Sequence, residues 1–368
     1  MAVSEFDRRM MAAAIRYTYR HLGRTGTNPS VATILVRDVD GMPVIVGRGL
    51  TAIGGRPHAE TEAIEEAGDL AAGSTAYVTL EPCAHHGSTP PCADALVSAG
   101  ISRVVAATTD PDGRVSGLGY KILEDGGIEV ETDVLAPAAM KAMAGYLTQR
   151  RFARPHVTLK LALSQDGKIG RKGSGQVPIT DPLSNHVSHL LRATSDVIAI
   201  GINTALEDDP SLTCRLPGLE NRSPIRLVLD RELRLPPDSA LARSARDYPV
   251  IIATTKPPDD ERYRQLTQAG CQMLACEETE NGIALPEMLE DLCGKGIMTV
   301  IVEGGAAVAQ AFLEAGLVDR IRLYIGPEAI GEDGIAAPLS PEIMPAGFVK
   351  TAAARFGPDW RFEYERSE

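Results

Sequence analysis

Basic charge, aromatic rings, paired cysteines and long apolar runs are all scarce in this chain. Each shortage closes off a class of function. Lys and Arg number 37 against 49 Asp and Glu over 368 residues, a formal net charge of −12. A field of that sign repels a phosphate backbone. The acidity is not confined to one half: residues 1–150 carry 13 basic and 18 acidic side chains, and the remainder is also net acidic. Aromatic residues are 4% of the chain, with a single Trp, so no basic, aromatic-studded patch marks a nucleic-acid surface. No nucleic-acid partner is expected. No apolar run approaches the roughly 18 residues that span a bilayer, and Met1 to Arg20 mixes acids and bases with alanines, unlike a signal peptide. No membrane partner is expected, and the location read from this is cytoplasmic. Four of the six cysteines (Cys214, Cys271, Cys276, Cys293) have no paired, zinc-like context and read as reduced thiols. No Gly-x-Gly-x-x-Gly follows a strand, so a Rossmann site is not indicated.

What is present is concentrated in three short motifs. Pro57-His58-Ala59-Glu60 precedes Glu81-Pro82-Cys83 and Pro90-Pro91-Cys92. One imidazole and two thiolates make three ligands for one zinc ion and leave the fourth corner of the tetrahedron for water, as catalytic rather than structural sites do. The order His-x-Glu…Pro-Cys…Cys is that of zinc nucleobase deaminases, in which the Glu is acid/base and not a ligand. Free water ionises near 15.7 and zinc-bound water near 7. That difference of about nine pKa units is worth roughly 12 kcal/mol, so the metal dominates. His58, Cys83 and Cys92 are the expected ligands and Glu60 the proton carrier. His85 and His86 lie in the loop between the cysteines, where substrate or phosphate contact and plain solvation are equally open readings. Asn28-Pro29 reads either as a contact to a base edge or as a turn initiator.

The length suffices for two domains, and 44% hydrophobic with 23% charged residues is ordinary for a globular protein. Helical periodicity covers residues 5–22. Strands at 31–37 and 43–46 flank the Asp40-Gly41 turn as a hairpin. A helix at 60–68, a strand at 75–80, a helix at 92–99 with Pro91 in its first turn, and a strand at 103–107 follow, implying an α/β sandwich with a largely buried sheet. His58 and Cys92 then stand at helix starts. A helix covers about 136–150, and Arg150 to Pro155 reads as the linker, giving domains 1–150 and 155–368. In the second, strands are expected at 156–163, 197–200, 225–229, 250–253, 299–302 and 321–325, and helices at 182–192, 260–269, 285–294 and 306–315. Gly331 to Pro345 reads as a long loop and Glu363 to Glu368 as a fraying end. Glu303-Gly304-Gly305 joins a buried strand to a helix, and paired glycines admit a phosphate to the helix N-terminus, although a Gly-Gly turn alone is more often only a tight connection.

These motifs together resemble the bifunctional riboflavin-biosynthesis deaminase–reductase family over nearly the whole chain. Tyr77 to Cys92, with eight residues between the cysteines, resembles its deaminase motif; Lys160 to Gly167, Leu191-Arg192-Ala193, Asp208 to Thr213 and Glu303-Gly304-Gly305 resemble its reductase motifs. The resemblance implies a cytidine-deaminase-like three-layer α/β/α domain followed by a dihydrofolate-reductase-like α/β domain, with Zn2+ and NADPH as cofactors. The implied reactions are hydrolytic deamination of 2,5-diamino-6-(5-phosphoribosylamino)pyrimidin-4-one and then reduction of the ribosyl group to ribityl. It implies NADPH contacts at Ala162, Thr204, Asp208 and Gly305, and substrate contacts at Asn28, Arg192, Leu212, Arg215 and Glu303. The partner is a small pyrimidine ribotide phosphate, and a homo-oligomer is the expected assembly. Lys160 and Asp166 are candidates for a role in the hydride step. The chain departs from the family pattern at Ala32, Thr51, Gln176, Pro178 and Arg231. Three alternatives stand beside this reading: a deaminase whose second domain has lost reduction, a nucleic-acid-associated deaminase, and a binding protein with a structural zinc.

Overall fold

In the computed structural model, which describes residues 3–85, 90–113, 115–280 and 282–367, the chain divides into two units, Met1–Ala153 and Arg154–Glu368. The first begins with α1 (Glu5–Thr18), β1 (Ala32–Val39) and β2 (Met42–Leu50). Ser4 and Asp7 close a capping box at the start of α1. Asp7 also accepts from the Tyr77 hydroxyl at 2.8 Å and the Arg103 guanidinium at 2.9 Å, fixing the helix to the sheet. The β1–β2 turn places Asp40 and Gly41 at φ 53° and 81°, the left-handed pair a two-residue hairpin requires. Then come α2 (Ala59–Ala67), β3 (Thr75–Val78), α3 (Cys92–Ser98), β4 (Arg103–Ala106), α4 (Leu118–Asp125), β5 (Glu129–Glu131), α5 (Ala136–Ala142) and α6 (Ala144–Phe152). The strands order as β2-β1-β3-β4-β5, antiparallel in the hairpin and at β1–β3, parallel at β3–β4 and β4–β5. Ala63, Leu96 and Leu123 from α2, α3 and α4 pack on Leu35, Val78 and Val104. Tyr77 points the opposite way from Val78 and meets α1, so the sheet is covered on both faces in three layers.

The second unit runs β6 (His156–Leu163), β7 (Lys168–Arg171), α7 (Pro182–Ala193), β8 (Val197–Gly201), α8 (Ile202–Asp208), β9 (Ile225–Leu229), α9 (Ala240–Arg243), β10 (Val250–Thr254), α10 (Glu261–Ala269) and β11 (Gln272–Ala275). It continues with β12 (Glu278–Thr279), β13 (Gly282–Ile283), α11 (Leu285–Gly294), β14 (Thr299–Glu303), α12 (Ala306–Glu314), β15 (Arg320–Ile325), β16 (Gly334–Ala336), β17 (Phe348–Phe356) and β18 (Asp359–Arg366). Nine strands form one sheet in the order β11-β10-β9-β8-β14-β6-β15-β18-β17, parallel from β11 to β15 and antiparallel at β15–β18 and β18–β17. Central strands are apolar on both faces, as covered parallel strands are. Val197 and Ala199 join one cluster with α11 and α12, while Ile198 and Ile200 join another with α8, α9 and α10.

The expected α/β architecture is observed, with differences at the edges of elements. The helix read at 136–150 is two helices, broken at Met143 (φ −108°, ψ 18°). The second continues through Phe152, so Arg150 belongs to a helix and not to the linker. Pro91 is the N-cap of α3 and not a first-turn residue. The loop read at 331–345 contains β16, which pairs with β7. The end read as fraying is β18, which lies inside the sheet between β15 and β17. Its charges are used across the strands: Glu363 pairs with Arg322 at 2.9 Å and Glu365 with Arg320 at 2.7 Å.

Candidate functional site

Two helix starts and one strand exit bring the first group together. His58 is the N-cap of α2 and Cys92 the first residue of α3, while Cys83 follows β3 in a segment without regular structure. The approach of α2 depends on Gly47 and Gly49 of β2. A Cβ at Gly49 would lie 1.9 Å from the Ala59 carbonyl oxygen, and one at Gly47 2.2 Å from that of Ala63. The ligand atoms of His58, Cys83 and Cys92 all lie within 4.8 Å of one another. His58 presents Nδ1, 3.3 Å from Cys92 Sγ and 3.7 Å from Cys83 Sγ. The Cys92 amide donates to Cys83 Sγ at 3.2 Å. Among the described residues this group has no fourth His, Cys, Asp or Glu. The donor set therefore fits a zinc ion with one open position.

Hydrogen bonding from the Cys92 thiol, then from His58 and the Cys92 amide, brings the Cys83 thiol down to about 4. The second thiol, Cys92, is held above its ordinary value by its bond to Cys83 and by burial. Glu60, the second residue of α2, is 3% exposed. Burial pushes its carboxyl up to about 7, against the pull of the His58 imidazole. A carboxyl poised there exchanges protons readily near neutral pH.

His58, Cys83 and Glu60 line a cavity of about 420 Å3. Asn28 is on its wall, with room made by Gly55 (φ 97°), where a Cβ would come within 2.3 Å of the Asn28 amide nitrogen. Thr51 is there too, its hydroxyl accepting from the Val31 amide at 2.9 Å. His85 lines the cavity, and its Nδ1 is buried without a hydrogen-bond partner among the described residues; His86 lies outside the described residues. Sequence reasoning missed another part of the lining. Glu81, 2% exposed, accepts from the amides of Gly119 (3.0 Å), Gly117 (3.1 Å) and Asp110 (3.2 Å). Asp110 in turn receives the Tyr146 hydroxyl at 3.0 Å. The available signal was position: Asp110 follows closely on β4, at the C-terminal edge of parallel strands, where α/β sheets place ligands.

In the second unit, Arg192 of α7 forks onto Glu303 at the end of β14, with Nη2 at 2.8 Å and Nε at 3.4 Å, and Nη1 donates to the Thr213 carbonyl at 3.2 Å. Although burial pushes the other way, Arg192 and Lys160 hold Glu303 below the ordinary carboxylate range. Burial pushes Lys160 down in turn. Its ammonium sits 5.7 Å from the Tyr324 ring centroid. Ala162 lies further along β6 on the Lys160 face. Thr204 meets the glycine turn after β14: Gly304 and Gly305 have φ 78° and 71°, and a Cβ on either would lie 3.2 or 3.1 Å from Thr204. The two glycines therefore let the turn come close to the Thr204 side chain, at the N-terminus of α12. Asp208 ends α8, its carboxyl raised by burial. The Leu212 side chain packs in the core with Ile198 and Val228, so only its backbone, at φ 55°, is free to face a ligand. Arg215 is exposed and donates to Ser211 Oγ at 2.7 Å. Asp166 shapes a turn by accepting from the amides of Gly331 (2.8 Å) and Ile330 (3.0 Å). Gln176 and Pro178 are exposed in a segment without regular structure. Arg231 pairs with Glu232 and Glu278 at 3.0 and 3.2 Å.

Comparison with known proteins fits this division. Residues 4–108 match the cytidine and deoxycytidylate deaminase zinc-binding region, and residues 155–360 match the RibD C-terminal domain. The riboflavin biosynthesis protein RibD of Aquifex aeolicus is 38% identical over 90% of this chain and 89% of its own length. That of Escherichia coli is 36% identical over 89% of each. The solved structure of Acinetobacter baumannii RibD superposes with a TM-score of 0.83 at 32% identity, covering 98% of this chain and 99% of that one. A Thermotoga maritima deaminase/reductase structure gives 0.83 at 32%, covering 98% of each. The chain belongs to the RibD family of riboflavin-biosynthesis enzymes, with a zinc-binding, cytidine-deaminase-like domain followed by an NADPH-dependent RibD C-terminal reductase domain.

Proposed function

We infer that residues 1–150 carry out the deamination and residues 155–368 the reduction, with roles assigned as follows. His58, Cys83 and Cys92 hold the zinc ion, whose Lewis acidity makes water nucleophilic near neutral pH. Glu60 takes a proton from the attacking water and passes it to the pyrimidine ring nitrogen; it then takes the hydroxyl proton of the tetrahedral carbon and gives it to the amino group, which leaves as ammonia while the carbonyl forms. Asn28 orients the base edge. In the second unit Ala162, Thr204, Asp208 and Gly305 would hold NADPH, which would supply the hydride, with a proton from water, for the reduction of ribosyl to ribityl. Arg192, Leu212, Arg215 and Glu303 bind the ribotide. Because Arg192 is already forked onto Glu303, the two act as one unit, and Arg215 offers the more available guanidinium for the phosphate.

The observation that carries this reading is the three-donor group within 4.8 Å beside a buried Glu60. The substrate is a small pyrimidine ribotide phosphate, the location cytoplasmic, the assembly a homo-oligomer without nucleic-acid or membrane partners. No helix among the described residues is long and apolar enough to cross a membrane. Family membership across both halves does not favour a deaminase-only protein or a nucleic-acid-associated deaminase. The deciding assay supplies zinc-replete protein with the diaminopyrimidine ribotide and NADPH and follows ammonia and NADPH together. Ammonia release followed by NADPH oxidation is expected; ammonia without oxidation would remove the reductase assignment. Light scattering on the purified chain tests the oligomer.

A further inference from the structure

We propose that Arg226 is a positioning residue for the second unit: its guanidinium grips the Ser211 carbonyl and so sets the turn from Asp209 to Arg215 for the ribotide. This rests on the assignment of Leu212 and Arg215 to the ribotide above. Arg226 is the second residue of β9, a strand between β8 and β10, and it is 0% exposed. Leu227 and Val228, which follow it, belong to the apolar core. A buried cation is costly unless its donors are satisfied. Burial lowers this guanidinium to about 10, so it keeps its charge at neutral pH. Its hydrogen-bond acceptors among the described residues are all neutral. Nη1 donates to the Ser211 carbonyl at 3.3 Å and to Ser244 Oγ at 2.8 Å. Nη2 donates to the Ser244 carbonyl at 3.1 Å and to the Tyr248 carbonyl. Nε is buried with no partner among the described residues. The fork is therefore spent on joining Ser211 to the segment that follows α9.

The turn needs such a grip. Asp209 and Leu212 have φ 37° and 55°, a region unfavourable to residues with a Cβ and kept only where the surroundings impose it. Asp209 accepts from the Ala240 amide at 2.7 Å, so α9 holds the turn at a second point. The Leu212 side chain shares its cluster with Val228, two residues along β9 and so on the Arg226 face. From the held turn, bonds run outward to the groups assigned to the ribotide. Ser211 Oγ accepts from Arg215 Nη1 at 2.7 Å, and the Arg215 amide donates to His189 Nδ1 at 3.3 Å. The Thr213 carbonyl accepts from Arg192, which forks onto Glu303. A shift of the Ser211 carbonyl therefore moves Leu212, Arg215 and the acceptor of Arg192 together. None of these bonds involves Thr204 or Gly305, and Asp208 is held as the last residue of α8.

Two measurements on the full zinc-loaded chain compare Arg226→Lys, which keeps the charge but not the fork, with the unaltered protein. The first is hydrogen exchange followed by mass spectrometry. The amides of Cys214 and Arg215, bonded to Ser223 Oγ at 3.0 Å and His189 Nδ1 at 3.3 Å, report on the turn. They are expected to exchange roughly 10-fold faster in the variant while β14 keeps its rate. Equal rates in the two proteins would overturn the proposal, and so would the same acceleration in β14, which marks a generally looser core. The second is NADPH oxidation with the deaminated ribotide. Its KM is expected to rise roughly 10- to 100-fold, the scale of a lost charge-assisted bond, with the KM for NADPH moving less than about twofold. An unchanged ribotide KM, or the same rise in both, would sink the proposal. Should Arg226→Lys not fold, Ser244→Ala removes one acceptor of the same fork. It should shift both readouts in the same direction by less, and no shift in either would overturn the role of Arg226. If the unaltered chain oxidises no NADPH, the reductase assignment fails instead, and the exchange rates still decide whether Arg226 holds the turn.

Discussion

At the scale of single residues, the proposed chemistry of the first unit depends on keeping one carboxyl dry. Burial raises the affinity of the Glu60 carboxyl for protons, against the pull of His58. Replacing it by Gln keeps the shape and removes the proton exchange. Glu60→Gln should lower kcat for ammonia release by roughly 10²- to 10⁴-fold while zinc content, read by elemental analysis, stays at the level of the unaltered chain. Retained turnover would remove Glu60 from the mechanism. These four residues were legible because they lie in short motifs whose order alone states the chemistry. Asp110, Tyr146 and Arg150 were not. They reach the same cavity from the end of β4 and from α6, and no spacing along the chain links them to Cys83. The Arg192–Glu303 pair was half legible: both residues were expected at the substrate, but their bond to one another appears only when β14 is set beside α7.

At the scale of elements, packing against backbone decides where the ligands stand. Gly49→Ala forces a methyl group onto the Ala59 carbonyl. The displaced α2 should cost about 1–3 kcal/mol of stability and speed zinc loss to a chelating dye; an unaltered release rate would show that α2 is not seated by this glycine. The first residue of β6 makes a pH prediction. Burial, helped by Arg320, holds the His156 imidazole down to about 3 in the folded chain, whereas in the unfolded chain it titrates near 6.5. Between those values the unfolded state takes up a proton that the folded state refuses. Stability is therefore full above about pH 6.5 and falls with falling pH, by about 1.4 kcal/mol per unit down to about pH 3. Urea unfolding followed by Trp360 in the same unit should lose about 1.4 kcal/mol more between pH 7.5 and 5.5 in the unaltered chain than in His156→Phe; equal losses would clear His156. Strand β6 itself was readable, its Val157, Leu159, Leu161 and Leu163 forming one buried face. Strand β18 was not, because its Glu and Arg side chains look like a solvated tail until Arg320 and Arg322 lie opposite them.

At the scale of the whole molecule, two separately folded cores carry two separate chemistries. Stripping zinc with a chelator should abolish ammonia release from the diaminopyrimidine ribotide and leave NADPH oxidation intact when the deaminated intermediate is supplied directly. Loss of both on chelation would mean that the second unit depends on the metal. The Glu81 carboxylate, which gathers three amides from residues 110 to 119, sets an order on how the first unit is made at the ribosome. A nascent chain that has just emerged past Cys92 already holds every metal donor. It has no wall at Asp110 and no partners for Glu81 until 18 to 27 further residues follow, and no Tyr146 until 54 have. A chain interrupted in that interval has the metal donors without the walls of the cavity.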